Sequence, residues 1–160
     1  MSFKRILKTP TSTTNIGVFL ELGVLPIKYE IHKRQLGFLH HIIALKRNDP
    51  VKRMFEEQSK LPYENNWGNM IRKLLERYDL MNDRVFMEIE NMSKLKWKRI
   101  VNEAVRSKAL LELTSQNQSK SKTKELIYTK LEQQPYLQKY EAKVAISIFR
   151  YRIKSVACKR

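Results

Sequence analysis

Apolar residues recur along the chain at intervals of three, four and seven, the spacing of helices with one buried face. Sustained alternation with a period of two, the mark of a half-buried strand, is absent. A short apolar helix is predicted through Val18, Phe19, Leu20 and Leu22. Gly23 supplies its left-handed stop, and Pro26 opens the next helix. From Pro26 to about Leu45, Ile27, Ile31, Leu39, Ile42 and Ile43 mark one face, with Leu36 beside it. Asn48 or Asp49 caps a third helix with Pro50 near its start and Val51, Met54 and Phe55 as its apolar side. Residues 60–66 read as a loop, and Trp67 to Tyr78 as a helix whose core face is Trp67, Met70, Ile71, Leu74 and Leu75. The stretch 79–92 carries no firm pattern beyond a helical turn near Val85 and Phe86.

Ser93 is placed to cap the longest helix, about 94–115, with Trp97, Ile100, Val101, Ala104, Val105, Leu110 and Leu111 as its apolar positions. Residues 114–124 form a low-complexity basic loop or frayed helix. A short helix near 125–133 ends before Pro135. A last one, about 141–155, turns Ala142, Ala145, Ile148 and Phe149 inward. With 42% hydrophobic residues, four Gly and five Pro, a packed helical interior is favoured over a sandwich or barrel. The fold class expected is all-α: an irregular bundle of about six to seven helices without significant sheet. It forms one helical domain over residues 1–160, or two subdomains, 1–80 and 93–160, joined by an irregular segment 81–92.

Charge changes this picture most. Thirty-two Lys and Arg face sixteen Asp and Glu, a net charge of +16. A compact chain with that imbalance repels itself unless a polyanion relieves it. The imbalance is uneven. Residues 1–53 carry ten basic and three acidic residues and residues 93–130 the same numbers, whereas 54–92 carry five and eight. Residues 141–160 add six basic against one acidic. Two basic blocks and a basic tail therefore flank an acidic middle. The single cysteine, Cys158, excludes an internal disulfide and fits a reducing, intracellular compartment. No apolar run reaches the length of a membrane span, and no signal peptide is expected.

Catalytic chemistry is sparse. Only Asp49, Asp79 and Asp83 are aspartates, and the last two alone are close enough to suggest paired carboxylates; a solvated role fits them better. No phosphate-binding glycine loop, Cys-x-x-Cys pair or glycine-flanked nucleophile occurs. His40 and His41 are adjacent, so on a helix they point about 100° apart and cannot share a metal; one is expected at the core edge and the other in solvent or on a phosphate. No catalytic residue, metal site or cofactor is therefore assigned. The candidates for phosphate contact are Lys33, Arg34, Lys94, Lys98, Arg99, Arg106, Arg150, Arg152 and Lys154. Tyr151, among Arg150, Arg152 and Lys154, either lies outward, where it could stack on a base, or is buried with a bonded hydroxyl. Trp67 and Trp97 fall on apolar faces and read as core.

Several segments are similar to a known family. Lys8-Thr9-Pro10-Thr11-Ser12-Thr13 followed by Leu20-Glu21-Leu22-Gly23-Val24-Leu25-Pro26-Ile27 resembles the region downstream of the polymerase domain in non-LTR (LINE-type) retrotransposon reverse transcriptases. So do Lys33-Arg34-Gln35-Leu36-Gly37-Phe38-Leu39-His40-His41-Ile42, the run from Tyr128 to Leu137, and Phe149-Arg150-Tyr151-Arg152, in the same order. The resemblance implies a noncatalytic helical region that helps hold RNA template or target DNA, with nucleic acid and a polymerase module as partners and a nuclear location. It also implies that the chain is an isolated C-terminal piece, either a truncated element or a separated reading frame beginning at Met1. The polymerase's Tyr-x-Asp-Asp motif is missing, and the lone Cys158 cannot be the zinc cluster that commonly follows this region in the family. The alternative expectation is a structural or protein-interaction module that packs against a polymerase body or an acidic partner.

Overall fold

A computed structural model describes residues 15–61, 66–81, 88–118 and 128–155, with 153–155 as helical backbone only. Among the described residues there are seven α-helices, one 3-10 turn and no strand, so the chain is an all-α irregular bundle. The helices are α1 (Asn15–Leu22), α2 (Ile27–Ile43), α3 (Pro50–Lys60), α4 (Trp67–Arg77), α5 (Lys94–Gln118), α6 (Pro135–Lys139) and α7 (Ala142–Ser155), with the 3-10 turn at Ile89–Asn91. None is long and apolar enough to cross a membrane. The helices fall into two compact units. One comprises residues 27–106, and the other joins 1–26 to 107–160. The boundaries between these units lie at 26/27 and 106/107, so α5 contributes to both.

The contiguous unit has α2 at its centre. Its buried face is Tyr29, Leu36, Leu39, His40 and Ile42. Of the expected face, Leu39 and Ile42 are buried with Leu36 beside them and Ile43 is half-buried, whereas Ile27 is 75% exposed and Ile31 also faces out. The stripe through positions 27, 31, 34 and 38 obeys helical spacing as well as the true one does, and periodicity alone could not separate them. Leu36 and Trp97 lock α2 to α5 through a bond from the Trp97 indole N–H to the Leu36 carbonyl at 2.8 Å. Trp97 is thus core, as expected. Trp67 is half-buried in an edge-to-face cluster with Phe55 and Phe38. α3 buries no residue fully; Val51 and Met54 are exposed, as are Met70 on α4 and Leu111 on α5, each expected to point inward.

The caps follow local chemistry closely. The Asp49 side chain accepts from the Val51 N–H at 2.9 Å, with Pro50 at the first helical position. Ser93 Oγ accepts from the Lys96 N–H. α4 closes in a Schellman motif, in which Leu80 N–H donates to the Leu75 carbonyl and Asp79 N–H to the Glu76 carbonyl. Asp79 sits at φ 54°, the left-handed position where glycine is preferred. Asp79→Gly is therefore expected to stabilise the contiguous unit by about 0.5–1 kcal/mol; a lower urea midpoint would refute this account of the turn.

In the other unit, Val18 and Phe149 form a small core against Leu22, Tyr136 and Ile146. Gly23 ends α1 in a second Schellman motif, Val24 N–H donating to the Phe19 carbonyl and Gly23 N–H to that of Leu20, with Gly23 at φ 62°. The helix expected near 125–133 is absent over 128–133, an irregular stretch that instead seats Tyr128 and Leu131 in the interior. α5 continues to Gln118, past its expected end at 115. On α7, Ala145 and Phe149 are buried and Ile148 half-buried, while Ala142 is exposed. The turn expected near Val85 and Phe86, the remainder of the basic loop from 119, and Cys158 lie outside the described residues.

Candidate functional site

The nine candidate cations differ sharply in what they do. Lys33 is partly buried and pairs with Glu30 one turn earlier at 3.1 Å. Arg34, Lys94, Lys98 and Arg99 are exposed. Arg106 and Arg150 are half-buried and engaged within the fold. Lys154 lies on α7 with its side chain outside the described residues. Six of the nine belong to the contiguous unit, and Arg150, Arg152 and Lys154 belong to the other.

One exposed cluster stands apart. Lys94, Lys96, Lys98 and Arg99 occupy four of the first six positions of α5. Among the described residues none of the four makes an ion pair, and α5 has no acidic residue in its first turn. The free N–H groups at a helix start make that end partially positive, so cations there are unfavourable by about 0.3–1 kcal/mol each within the first turn. Local stability alone would place Asp or Glu at 94 and 96.

Arg152 has a different task. Its Nε and Nη2 both donate to Oε1 of Glu21 at 2.9 Å. Glu21 is fully buried, and it also accepts hydrogen bonds from Tyr128 Oη at 2.7 Å and Tyr136 Oη at 2.5 Å. Burial pushes both phenols far above the ordinary tyrosine range, and the adjacent carboxylate pushes them further. Burial alone would lower the Arg152 guanidinium, but Glu21 outweighs it and holds the group above its ordinary value. The Gln134 N–H adds a bond to the Glu21 carbonyl at 3.1 Å. Three separated stretches, around residues 21, 128–136 and 152, thus meet at one residue. Their occurrence together has a packing reason. Spacing gave no sign of it, because the side-chain partners stand 107, 115 and 131 residues from Glu21.

Two further groups were legible only as charge or as a histidine pair. Lys52 Nζ donates to the carbonyls of Ile43 and Leu45, at 2.8 and 3.3 Å, and reaches Glu90 at 3.0 Å; it serves the end of α2. His40 is buried beside Trp97 and donates from Nε2 to the Met92 carbonyl at 2.8 Å, while His41 is exposed. The division between a core-edge and an outward histidine is as expected. Among the described residues no group of three His, Cys, Asp or Glu could hold a metal ion.

No family model matches the chain, and no curated protein or solved structure matches it.

Proposed function

We propose that this chain is a noncatalytic nucleic-acid-binding helical region that helps hold RNA or DNA by its phosphate backbone, like the region it resembles downstream of a LINE-type polymerase. Its partners on this reading are nucleic acid and a polymerase module, and its place of action is nuclear. The observation that carries the proposal is the cluster of Lys94, Lys96, Lys98 and Arg99, exposed and without an ion pair among the described residues, with Lys94 and Lys96 in the first helical turn, where cations are least welcome. A polyanion would convert that local penalty into binding through counterion release. Such contacts position nucleic acid without reading its sequence.

Two substitution sets separate this function from mere solubility. Replacing Lys94, Lys98 and Arg99 together with Ala should weaken binding to single-stranded RNA and duplex DNA alike. It should also lower the log–log salt slope by about 1 for each phosphate that is no longer neutralised. An unchanged slope would show the proposal to be wrong. Lys94→Glu with Lys96→Glu should raise stability in urea by roughly 0.5–2 kcal/mol while reducing affinity. That opposition is expected of residues kept for a ligand and not for the fold.

A second reading has its own observation. Ile27, Ile31 and Phe38 lie outward on one side of α2, around Arg34, and a packing module would present such a face to a protein partner. Self-association or aggregation that Ile27→Ser with Ile31→Ser abolishes, without change in nucleic-acid affinity, would favour it.

A further inference from the structure

Tyr151 is 73% exposed, the most exposed aromatic side chain among the described residues. Its hydroxyl makes no hydrogen bond there. This decides between the two sequence expectations for it: Tyr151 lies outward. A lone exposed tyrosine needs no explanation. This one has company. At about 100° per residue, Lys143, Val144, Ser147 and Tyr151 share the side of α7 opposite the buried Ala145 and Phe149, and all four are exposed. Just before the helix, Tyr140 is 46% exposed and Lys139 Nζ lies 6.0 Å from its ring centroid. The residues of this unit, 1–26 and 107–160, carry fifteen basic and five acidic residues, a net charge of +10. An exposed ring at Tyr151 and a second at Tyr140 beside an ammonium group, on a unit of strongly positive net charge, are the elements of a surface for unpaired bases: every base has a π-face to stack, and the cations follow the backbone.

We infer that Tyr151, seconded by Tyr140, is a stacking platform for the unpaired bases of single-stranded nucleic acid, with Lys139 and Lys143 against its phosphates. The inference rests on the nucleic-acid reading above and adds a preference to it. The cations of α5 attract any polyphosphate, duplex included, whereas a stacked duplex offers no free base faces to the tyrosines.

The test compares the full chain with Tyr151→Ala, Tyr151→Phe and Tyr140→Ala by fluorescence anisotropy, using oligo(U) and duplex DNA of about 15 nucleotides at one salt concentration. Loss of one stacked base corresponds to roughly 5- to 150-fold. Tyr151→Ala should weaken oligo(U) binding within that range and leave duplex affinity within about twofold. Tyr151→Phe should bind as the parent does, and Tyr140→Ala should show a smaller loss in the same direction. The salt slope should stay the same throughout, because the cations are untouched. Equal loss on both polymers, or loss on neither, overturns the platform. If the parent chain binds with a steep salt slope and Tyr151→Ala is silent, the platform alone falls. If the parent binds neither polymer in a salt-dependent way, the nucleic-acid reading falls with it.

Discussion

Gly23→Ala is expected to destabilise the unit formed by residues 1–26 and 107–160 by roughly 2–5 kcal/mol. Two independent effects add. At φ 62° a side chain incurs the left-handed penalty of about 1–2 kcal/mol. A Cβ built there would also stand 2.2 Å from the Glu132 carbonyl carbon and 2.3 Å from the Gln133 nitrogen. These are backbone atoms, so no side chain can swing away; the 128–134 segment itself must retreat. That retreat breaks the bond from Gln134 N–H to the Glu21 carbonyl and shifts Tyr128 off the carboxylate. Urea unfolding followed by tyrosine fluorescence would register the loss. Gly37→Ala is the matched control, since nothing lies within 4 Å of a Cβ at that position; it replaces glycine inside a helix and should stabilise by about 0.5–1 kcal/mol. A Gly23→Ala protein as stable as the parent would refute the close approach.

Arg152→Leu should be comparably damaging, at about 3–5 kcal/mol, because it leaves a fully buried carboxylate without its cation. Glu21→Leu should cost about as much: Arg152 is about one-third exposed, so water can take over part of the role of its partner, but the Tyr128 and Tyr136 hydroxyls lose their acceptor. The double substitution Glu21→Leu with Arg152→Leu should recover part of the loss, giving a coupling of at least about 1 kcal/mol in a double-mutant cycle. Recovery stays incomplete because the Tyr128 and Tyr136 hydroxyls lose their acceptor, at about 1–3 kcal/mol for each that remains buried and unsatisfied. Strict additivity would mean that the pair does not interact. The same cluster fixes an alkaline limit. Both phenols are raised in the folded state, so their contribution is complete below the unfolded tyrosine value of about 10 and declines as pH rises past it. Tyrosinate absorbance should show two tyrosines that ionise only as this unit unfolds.

Much of the helical frame was legible because its signals are local. Asp49 with Pro50, Ser93 before the basic run, and Gly23 all act within four residues of the ends they define. Phase was less legible. On α2 both Ile27–Ile31 and Tyr29–Leu36–Leu39 satisfy a 3.6-residue period, and the choice is made by neighbours such as Trp97, 61 residues from Leu36. The helix expected near 125–133 failed for a related reason. Tyr128 has a buried acceptor to reach and Gln134 a backbone carbonyl to meet, and these tertiary demands override the propensity of Leu131, Glu132 and Gln133. Of the candidate cations, Lys94, Lys98 and Arg99 could be singled out beforehand because no acidic residue follows until Glu103. The occupation of Arg152 could not, since its partner stands 131 positions away.

That separation has a temporal side. Residues 27–106 can begin to fold as soon as they emerge from the ribosome, because the unit is continuous in sequence. The other unit must wait. At about 5–20 residues per second, the 131 residues between Glu21 and Arg152 take roughly 7–26 s to synthesise. For that interval α1 is an eight-residue segment, too short to hold helical form alone. Val18 and Leu20, later buried, remain in water. Through that interval the apolar residues of α1 stay exposed while residues 27–106 can already fold, and a chaperone, or another nascent chain, can most easily take hold of them.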